Sequence, residues 1–136
     1  MKPKHLLIAV FLLGTPAAGQ EQIPHELTQA GMNEAAAQRL RAAEQEMNSV
    51  MESLVARAGS KTDAIAKLRN AQAAWAAYRD EQLATLWPFP ERTWYGSVYP
   101  MCLADAKTQL TKTRSRELRS MLAHEEGDVC ASQWPE

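Results

Sequence analysis

The stretch AQAAWAAYRD, from Ala71 to Asp80, decides the fold of this chain. It lies in a long segment with helical periodicity and places Gln72, Trp75 and Arg79 at positions i, i+3 and i+7. This spacing puts the three side chains on one face of an α-helix, which we expect to be the buried face. A buried Gln and a buried Arg are costly unless polar partners satisfy them. The stretch therefore predicts a cluster of polar side chains around Trp75, enclosed by other helices. The same face carries two leucines, Leu68 and Leu86.

Apolar residues at spacings of three and four predict a first helix before this stretch. Thr28 or Asn33 is suited to cap it, and Gly59 to end it. Its apolar positions are Leu40, Ala43, Met47, Val50, Met51 and Leu54. The second helix, which contains the stretch, is expected to start at Ser60 as a cap and to end before Pro88. The run of alanines beside Trp75 predicts the close approach of another helix.

A third helix follows an irregular segment, the aromatic loop Trp87–Tyr99. Pro100 is suited to the first turn of this helix, and its apolar positions continue until about His124. No segment alternates with a period of two, so the sequence predicts no strand. The short link between the first two helices favours antiparallel packing. We therefore predict an all-α fold: an elongated antiparallel three-helix bundle, with the aromatic loop between helices two and three.

The first residues have the pattern of a secretory signal peptide. Lys2 and Lys4 precede an apolar run, Leu6–Leu13, which is too short to span a bilayer, and small residues follow it. We predict a cleaved signal peptide over residues 1–19 and a single helical domain over residues 20–136, with an acidic C-terminal tail. The protein is then periplasmic or secreted and has no membrane anchor after cleavage. Loss of the two lysines leaves 13 basic and 16 acidic residues, a balance that argues against nucleic acid as a partner.

The chain has two cysteines, Cys102 and Cys130. In an oxidising compartment such a pair most often forms a disulfide, and neither a metal pair nor a redox dithiol has the expected spacing here. The two positions lie far apart if the third helix is straight. A bridge then requires the tail to run back along the bundle or the third helix to break early, and the sequence does not decide between these.

The motifs of the three helices resemble those of the LprI-like family, small exported bacterial domains, over Met32–Leu118. The second-helix motif, A-Q-x-x-W-x-x-Y-R-D, is matched in full from Ala71 to Asp80. The first helix of the family reads approximately A-D-x-x-L-N-x-V-Y, and this chain has Ala43, Glu44, Met47, Asn48, Val50 and Met51 at those positions. A Gly-Ser turn is met by Gly96 and Ser97, and the third helix shares Cys102, Leu110, Thr111, Arg114 and Leu118 with the family pattern.

The resemblance also has departures. The family commonly places cysteines where this chain has Leu83 and Ala35. Cys102 therefore lacks the partner that the resemblance implies, and Cys130 is the candidate replacement. One branch of the family inhibits lysozyme, so the resemblance implies a non-catalytic binding protein whose partner is a protein, such as a basic lysozyme. The alternative is a periplasmic envelope assembly or stress factor that binds another protein. The resemblance implies a structural motif made of Gln72, Trp75, Tyr78, Arg79, Asp80 and Arg114.

The aromatic loop is the best candidate for a binding surface, because Trp and Tyr dominate the energetics of interfaces. The other interpretation is a cap that closes the end of the bundle. The candidate partner-binding residues are Trp87, Phe89, Glu91, Trp94 and Tyr95.

No residue pattern points to catalysis. Arg79 and Asp80 are adjacent, so we expect them to point about 100° apart on a helix. Arg79 is instead expected to stack on Trp75 or to pair with the first helix, at Glu44 or Asn48. His25 and His124 have no second metal ligand one turn away. We therefore expect no catalytic residue, no metal and no cofactor.

Overall fold

The computed structural model describes residues 23–123 and 127–135. Three helices account for most of it: α1 over Gln29–Ala58, α2 over Thr62–Leu86 and α3 over Tyr99–Ser120. Short 3-10 turns occupy His25–Leu27 and Arg92–Tyr95, and no strand occurs among the described residues. The all-α prediction is confirmed. The predicted signal peptide lies outside these ranges.

Local sequence signals set most of the helix ends. Thr28 caps α1, because its Oγ1 accepts a hydrogen bond from the backbone N–H of Gly31 at 3.1 Å. Gly59 ends α1 with a φ of 55°, in the left-handed region that favours glycine. Pro88 stops α2 two residues earlier, at Leu86. The predicted Ser60 cap is wrong: Lys61 takes the cap position and makes no side-chain hydrogen bond there.

The helices run up, down and up, so α1 and α3 are parallel. At one end Asn33 donates to the carbonyl of Ser97 at 3.2 Å, and at the other Arg57 donates to the carbonyl of Leu122 at 2.8 Å. Helix α2 runs antiparallel to both. Helices α1 and α3 pack most closely on each other. Small buried side chains allow this approach: Ala36 and Ala43 of α1, and Ala104, Thr108, Thr111 and Ser115 of α3.

Helix α2 is attached more loosely than the sequence predicted. Only Leu68 and Leu83 are buried among its residues. Most of the alanines around Trp75 face solvent: Ala71, Ala73, Ala74 and Ala77 are exposed, and Ala76 alone is partly buried. The close helix approach that they were expected to support occurs instead between α1 and α3.

The largest apolar cluster lies at the end of the bundle opposite the aromatic loop. Leu54 and Leu118 are completely buried at its centre. Residues of the C-terminal tail close it, because Trp134 packs against the cluster and donates from Nε1 to the carbonyl of Leu54 at 2.9 Å. The tail therefore stays at the end of the bundle where α3 finishes.

The predicted disulfide is absent from the structure, in which Cys102 and Cys130 are both free. Cys102 lies in the first turns of α3, while Cys130 belongs to the tail that packs near Leu54 and Leu118. At 1.5 Å per residue, α3 separates the levels of Cys102 and Leu118 by about 24 Å. A disulfide needs Cα atoms no more than about 7 Å apart. Helix α3 neither breaks early nor is followed by a tail that runs back along it.

Candidate functional site

Gln72 lies where the three helices meet. Its side-chain oxygen accepts a hydrogen bond from Nε of Arg114 on α3 at 3.1 Å, and its nitrogen donates to the sulfur of Met47 on α1 at 3.3 Å. Arg114 also binds Glu117 of its own helix at 3.1 Å. The side chain of Arg114 is only 16% exposed. These contacts give the polar groups of Gln72 and Arg114 the hydrogen-bond partners that burial requires.

Arg79 lies one turn from Trp75 and covers its ring, with the guanidinium carbon 5.3 Å from the ring centroid. It does not pair with Glu44 or Asn48. It binds Asp80 instead, with 2.9 Å between Nε and Oδ1. Adjacent helical positions were expected not to meet, and this expectation is wrong because the long arginine side chain reaches around the helix. The Asp80 side chain is 61% exposed, so the pair is largely solvated.

Two large side chains in the C-terminal half of α2 are exposed, and one of them, Leu86, was predicted to lie on the buried face. Tyr78 is 57% exposed and Leu86 is 52% exposed, whereas Leu68 on the same helix is buried. The loose attachment of α2 explains this difference, because its C-terminal half contacts the bundle mainly through Leu83. The face that begins with Leu68 is therefore covered as far as Leu83, and Leu86 at its end is exposed.

The aromatic loop has an inner layer that packs on the start of α3. The rings of Tyr95 and Tyr99 stack with their centroids 5.1 Å apart, and Trp87 meets Tyr99 edge-on at 5.6 Å. All three side chains are partly buried. These residues form the cap at the end of the bundle, which was the second interpretation of the loop.

Two further aromatic residues form an outer layer. Trp94 is 73% exposed and stacks on Phe89 with ring centroids 5.7 Å apart. Tyr95 fixes this layer to the inner one, because its hydroxyl accepts a hydrogen bond from the backbone N–H of Phe89 at 2.7 Å. The carboxylate of Glu91 accepts from Nε1 of Trp94 at 3.3 Å. The five candidate partner-binding residues are therefore together in one small unit, but only Phe89, Glu91 and Trp94 lie on its surface.

A cavity of about 730 Å³ lies beside this unit, between α1, the 3-10 turn at Arg92–Tyr95 and the first turns of α3. A smaller one, about 270 Å³, lies between α2 and α3. Both are lined by Tyr99, Leu103 and Lys107. Sequence reasoning did not single out Leu103 or Lys107 as site residues. The cavity is lined by residues of α1 and α3 that are more than sixty positions apart in the chain, such as Leu40 and Leu103. No local sequence pattern predicts that such residues lie close together.

In the parts of the chain that are described, no three His, Cys, Asp or Glu side chains come close enough to hold a metal ion. On α1, Glu34, Glu46 and Glu52 are exposed, and hydrogen bonds from Gln38 and Arg41 lower the pKa of the Glu34 carboxyl. No helix within residues 23–123 has both the length and the apolar character needed to cross a membrane.

Comparison with known proteins gives one match. A family model described as lysozyme inhibitor LprI matches residues 21–118. No curated protein and no solved structure matches the chain significantly. The matched segment covers α1, α2, the aromatic loop and nearly all of α3, and it includes Gln72, Trp75 and Arg114. The resemblance inferred from the helix motifs is confirmed, and the chain belongs to the lysozyme inhibitor LprI family.

Proposed function

We propose that this protein is an exported inhibitor of a lysozyme or a related cell-wall hydrolase, and that it acts by covering the enzyme's cleft. In this proposal it is a binding protein without catalytic activity of its own. Its family membership supports the inhibitory class. The single structural observation that carries the proposal is the exposed pair Phe89 and Trp94, stacked on each other at the end of the bundle.

This pair has the properties of an interface anchor. Large exposed aromatic side chains supply much of the binding energy of protein interfaces, and they do so best when they are already held in place. The backbone N–H of Phe89 is bonded to the hydroxyl of Tyr95, the indole of Trp94 is bonded to the carboxylate of Glu91, and the two rings stack on each other. The pair therefore loses little conformational entropy when a partner covers it.

Charge favours a basic partner. The chain has a net charge of −1, and without Lys2 and Lys4 the acidic residues exceed the basic ones by three. A basic enzyme is then attracted at long range, which raises the association rate more than the final affinity. Glu91, at the tip of the aromatic loop, places one negative charge within the proposed contact surface.

The direct test is a turbidity assay, in which the purified domain is added to lysozyme and a suspension of lysozyme-sensitive cells. We expect protection from lysis at micromolar concentration or below. Trp94→Ala and Phe89→Ala should each weaken inhibition by about thirtyfold or more, as loss of about 2 kcal/mol at an interface anchor implies. Tyr78→Ala is the matched control, because Tyr78 is also 57% exposed but lies two turns before the end of α2.

If the added protein leaves the rate of lysis unchanged with several lysozyme types, the proposal is wrong. Affinity capture from a periplasmic extract then tests the alternative, an envelope assembly or stress factor. Equal loss of inhibition in the Tyr78 and Trp94 variants would show that the aromatic loop is not the contact surface.

A further inference from the structure

The cavity of about 730 Å³ has mainly apolar walls. Its size is within the range of about 300–1,000 Å³ that is typical of small-molecule sites. The apolar part is formed by Leu40 of α1 and by Tyr99, Pro100, Leu103 and Ala104 of α3. Asn33 and Ser97 also line the cavity, and the hydrogen bond between them ties α1 to the segment before α3. The walls are therefore joined to each other and do not depend on a partner to form.

The charges that line this cavity are all positive. Arg92 comes from the 3-10 turn and Lys107 from α3, and no acidic residue lines the cavity. Neither cation forms a salt bridge with any residue that the structure describes. In contrast, five other arginines are paired with carboxylates: Arg39, Arg41, Arg79, Arg114 and Arg119.

The start of α3 adds to this positive potential. The first turn of α3 contains no acidic side chain, and no side chain caps it. The N-terminus of a helix carries a partial positive charge that favours an anion nearby. Ser97, Tyr99 and Pro100 bring this helix end to the cavity wall. Apolar walls, Arg92, Lys107 and the start of α3 thus line the same cavity. Lys107 lies about 12 Å along α3 from Tyr99 and also lines the smaller cavity, together with Asp80.

We propose that this cavity binds a small amphipathic anion, meaning an apolar body that carries one carboxylate, sulfonate or phosphate group. The apolar body packs on Leu40 and Leu103. The acidic group pairs with Lys107 and Arg92. Phe89, Glu91 and Trp94, the proposed protein contact surface, do not line this cavity, but the cavity is adjacent to them because Arg92 and Thr93 belong to the same 3-10 turn as Trp94.

The site can be tested with two probes that share one aromatic body, only one of which carries a negatively charged sulfonate. One is 8-anilinonaphthalene-1-sulfonate, and the other is N-phenyl-1-naphthylamine, which has the same aromatic body without the sulfonate. Each is titrated into the full domain at low ionic strength while probe fluorescence is recorded. We expect a single saturable site that binds the sulfonate about five- to tenfold more tightly than the neutral probe, as two partly exposed ion pairs imply. This preference should decline as salt is added.

Substitutions test whether the preference for the sulfonate probe arises in the cavity. Lys107→Met keeps the apolar stem of the side chain, and combined with Arg92→Gln it should abolish the difference between the probes. Lys112→Met is the matched control, because Lys112 is an exposed lysine of α3 outside the cavity, and it should leave both affinities unchanged. Circular dichroism verifies that each variant keeps its helices.

Three results would overturn the proposal. They are equal affinity for the two probes, an equal effect of the Lys107 and Lys112 substitutions, and loss of sulfonate binding in Trp94→Ala. The last result would place the probe on the aromatic loop. None of these readouts involves lysozyme, so the outcome does not depend on whether the protein inhibits it.

Discussion

Arg114 of α3 donates a hydrogen bond from Nε to the side-chain oxygen of Gln72 on α2, across 3.1 Å. Because Gln72 also donates to Met47 of α1, one glutamine links all three helices through its side chain. Helix α2 has only two buried residues, Leu68 and Leu83, so it depends on this link more than α1 and α3 do.

Replacement of Gln72 by leucine should therefore destabilise the fold. The change leaves the mostly buried Arg114 without one of its two acceptors, and such a loss costs about 1–3 kcal/mol. Thermal or urea unfolding measures it. Gln109→Leu is the control, because Gln109 is exposed on α3 and should change stability by less than about 0.5 kcal/mol. Equal stability of the two variants would show that the link does not hold α2.

Thr111 should respond in the opposite direction. It is completely buried, and its hydroxyl has no hydrogen-bond partner in the structure. Thr111→Val keeps the shape and removes the unsatisfied oxygen, so we expect stability to rise by about 1 kcal/mol. Thr108→Val provides the contrast, because the buried hydroxyl of Thr108 donates to the carbonyl of Ala104 at 2.7 Å. That variant should gain nothing, and a matching gain at both positions would contradict the explanation.

Arg79 and Asp80 should affect stability to different degrees. Arg79→Met removes the cation over Trp75 and should destabilise the protein by about 0.5–1 kcal/mol. Asp80→Asn breaks only a largely solvated pair, so its melting temperature should stay close to that of the parent. A large effect of Asp80→Asn on inhibition, with unchanged melting, would instead indicate a direct functional role.

The cysteines should behave as two free thiols. Cys130 is exposed and Cys102 is partly buried, so a thiol reagent should modify Cys130 first. The intact mass should be the same with and without reductant. A mass lower by two hydrogens before reduction would show a bridge, and it would require the tail to leave its site on Leu54.

The sequence predicted the helices because their signals are local. The apolar spacing, the cap at Thr28 and the stop signals at Gly59 and Pro88 each act within a few residues. The antiparallel arrangement followed from the short link after α1. The family resemblance was inferred mainly from the short motif around Gln72 and Trp75, and the match of the family model over residues 21–118 confirms it.

The sequence was a poorer guide to the contacts between segments that are far apart in the chain. It placed the close helix contact on the alanines of α2, but the small residues of α1 and α3 make that contact. Both sets favour close packing, and only the tertiary arrangement decides between them. The position of Trp134 on Leu54 and the cavity beside Lys107 also depend on contacts between segments far apart in the chain.

The main apolar cluster and the aromatic loop occupy opposite ends of the bundle. Mutations in the exposed residues of the loop, Phe89, Glu91 and Trp94, should therefore carry little penalty for folding, so these positions can change while the fold is kept. In an engineered version, the outer residues of this loop could be replaced by other sequences, provided that Trp87, Tyr95 and Tyr99 are kept as the cap of the bundle.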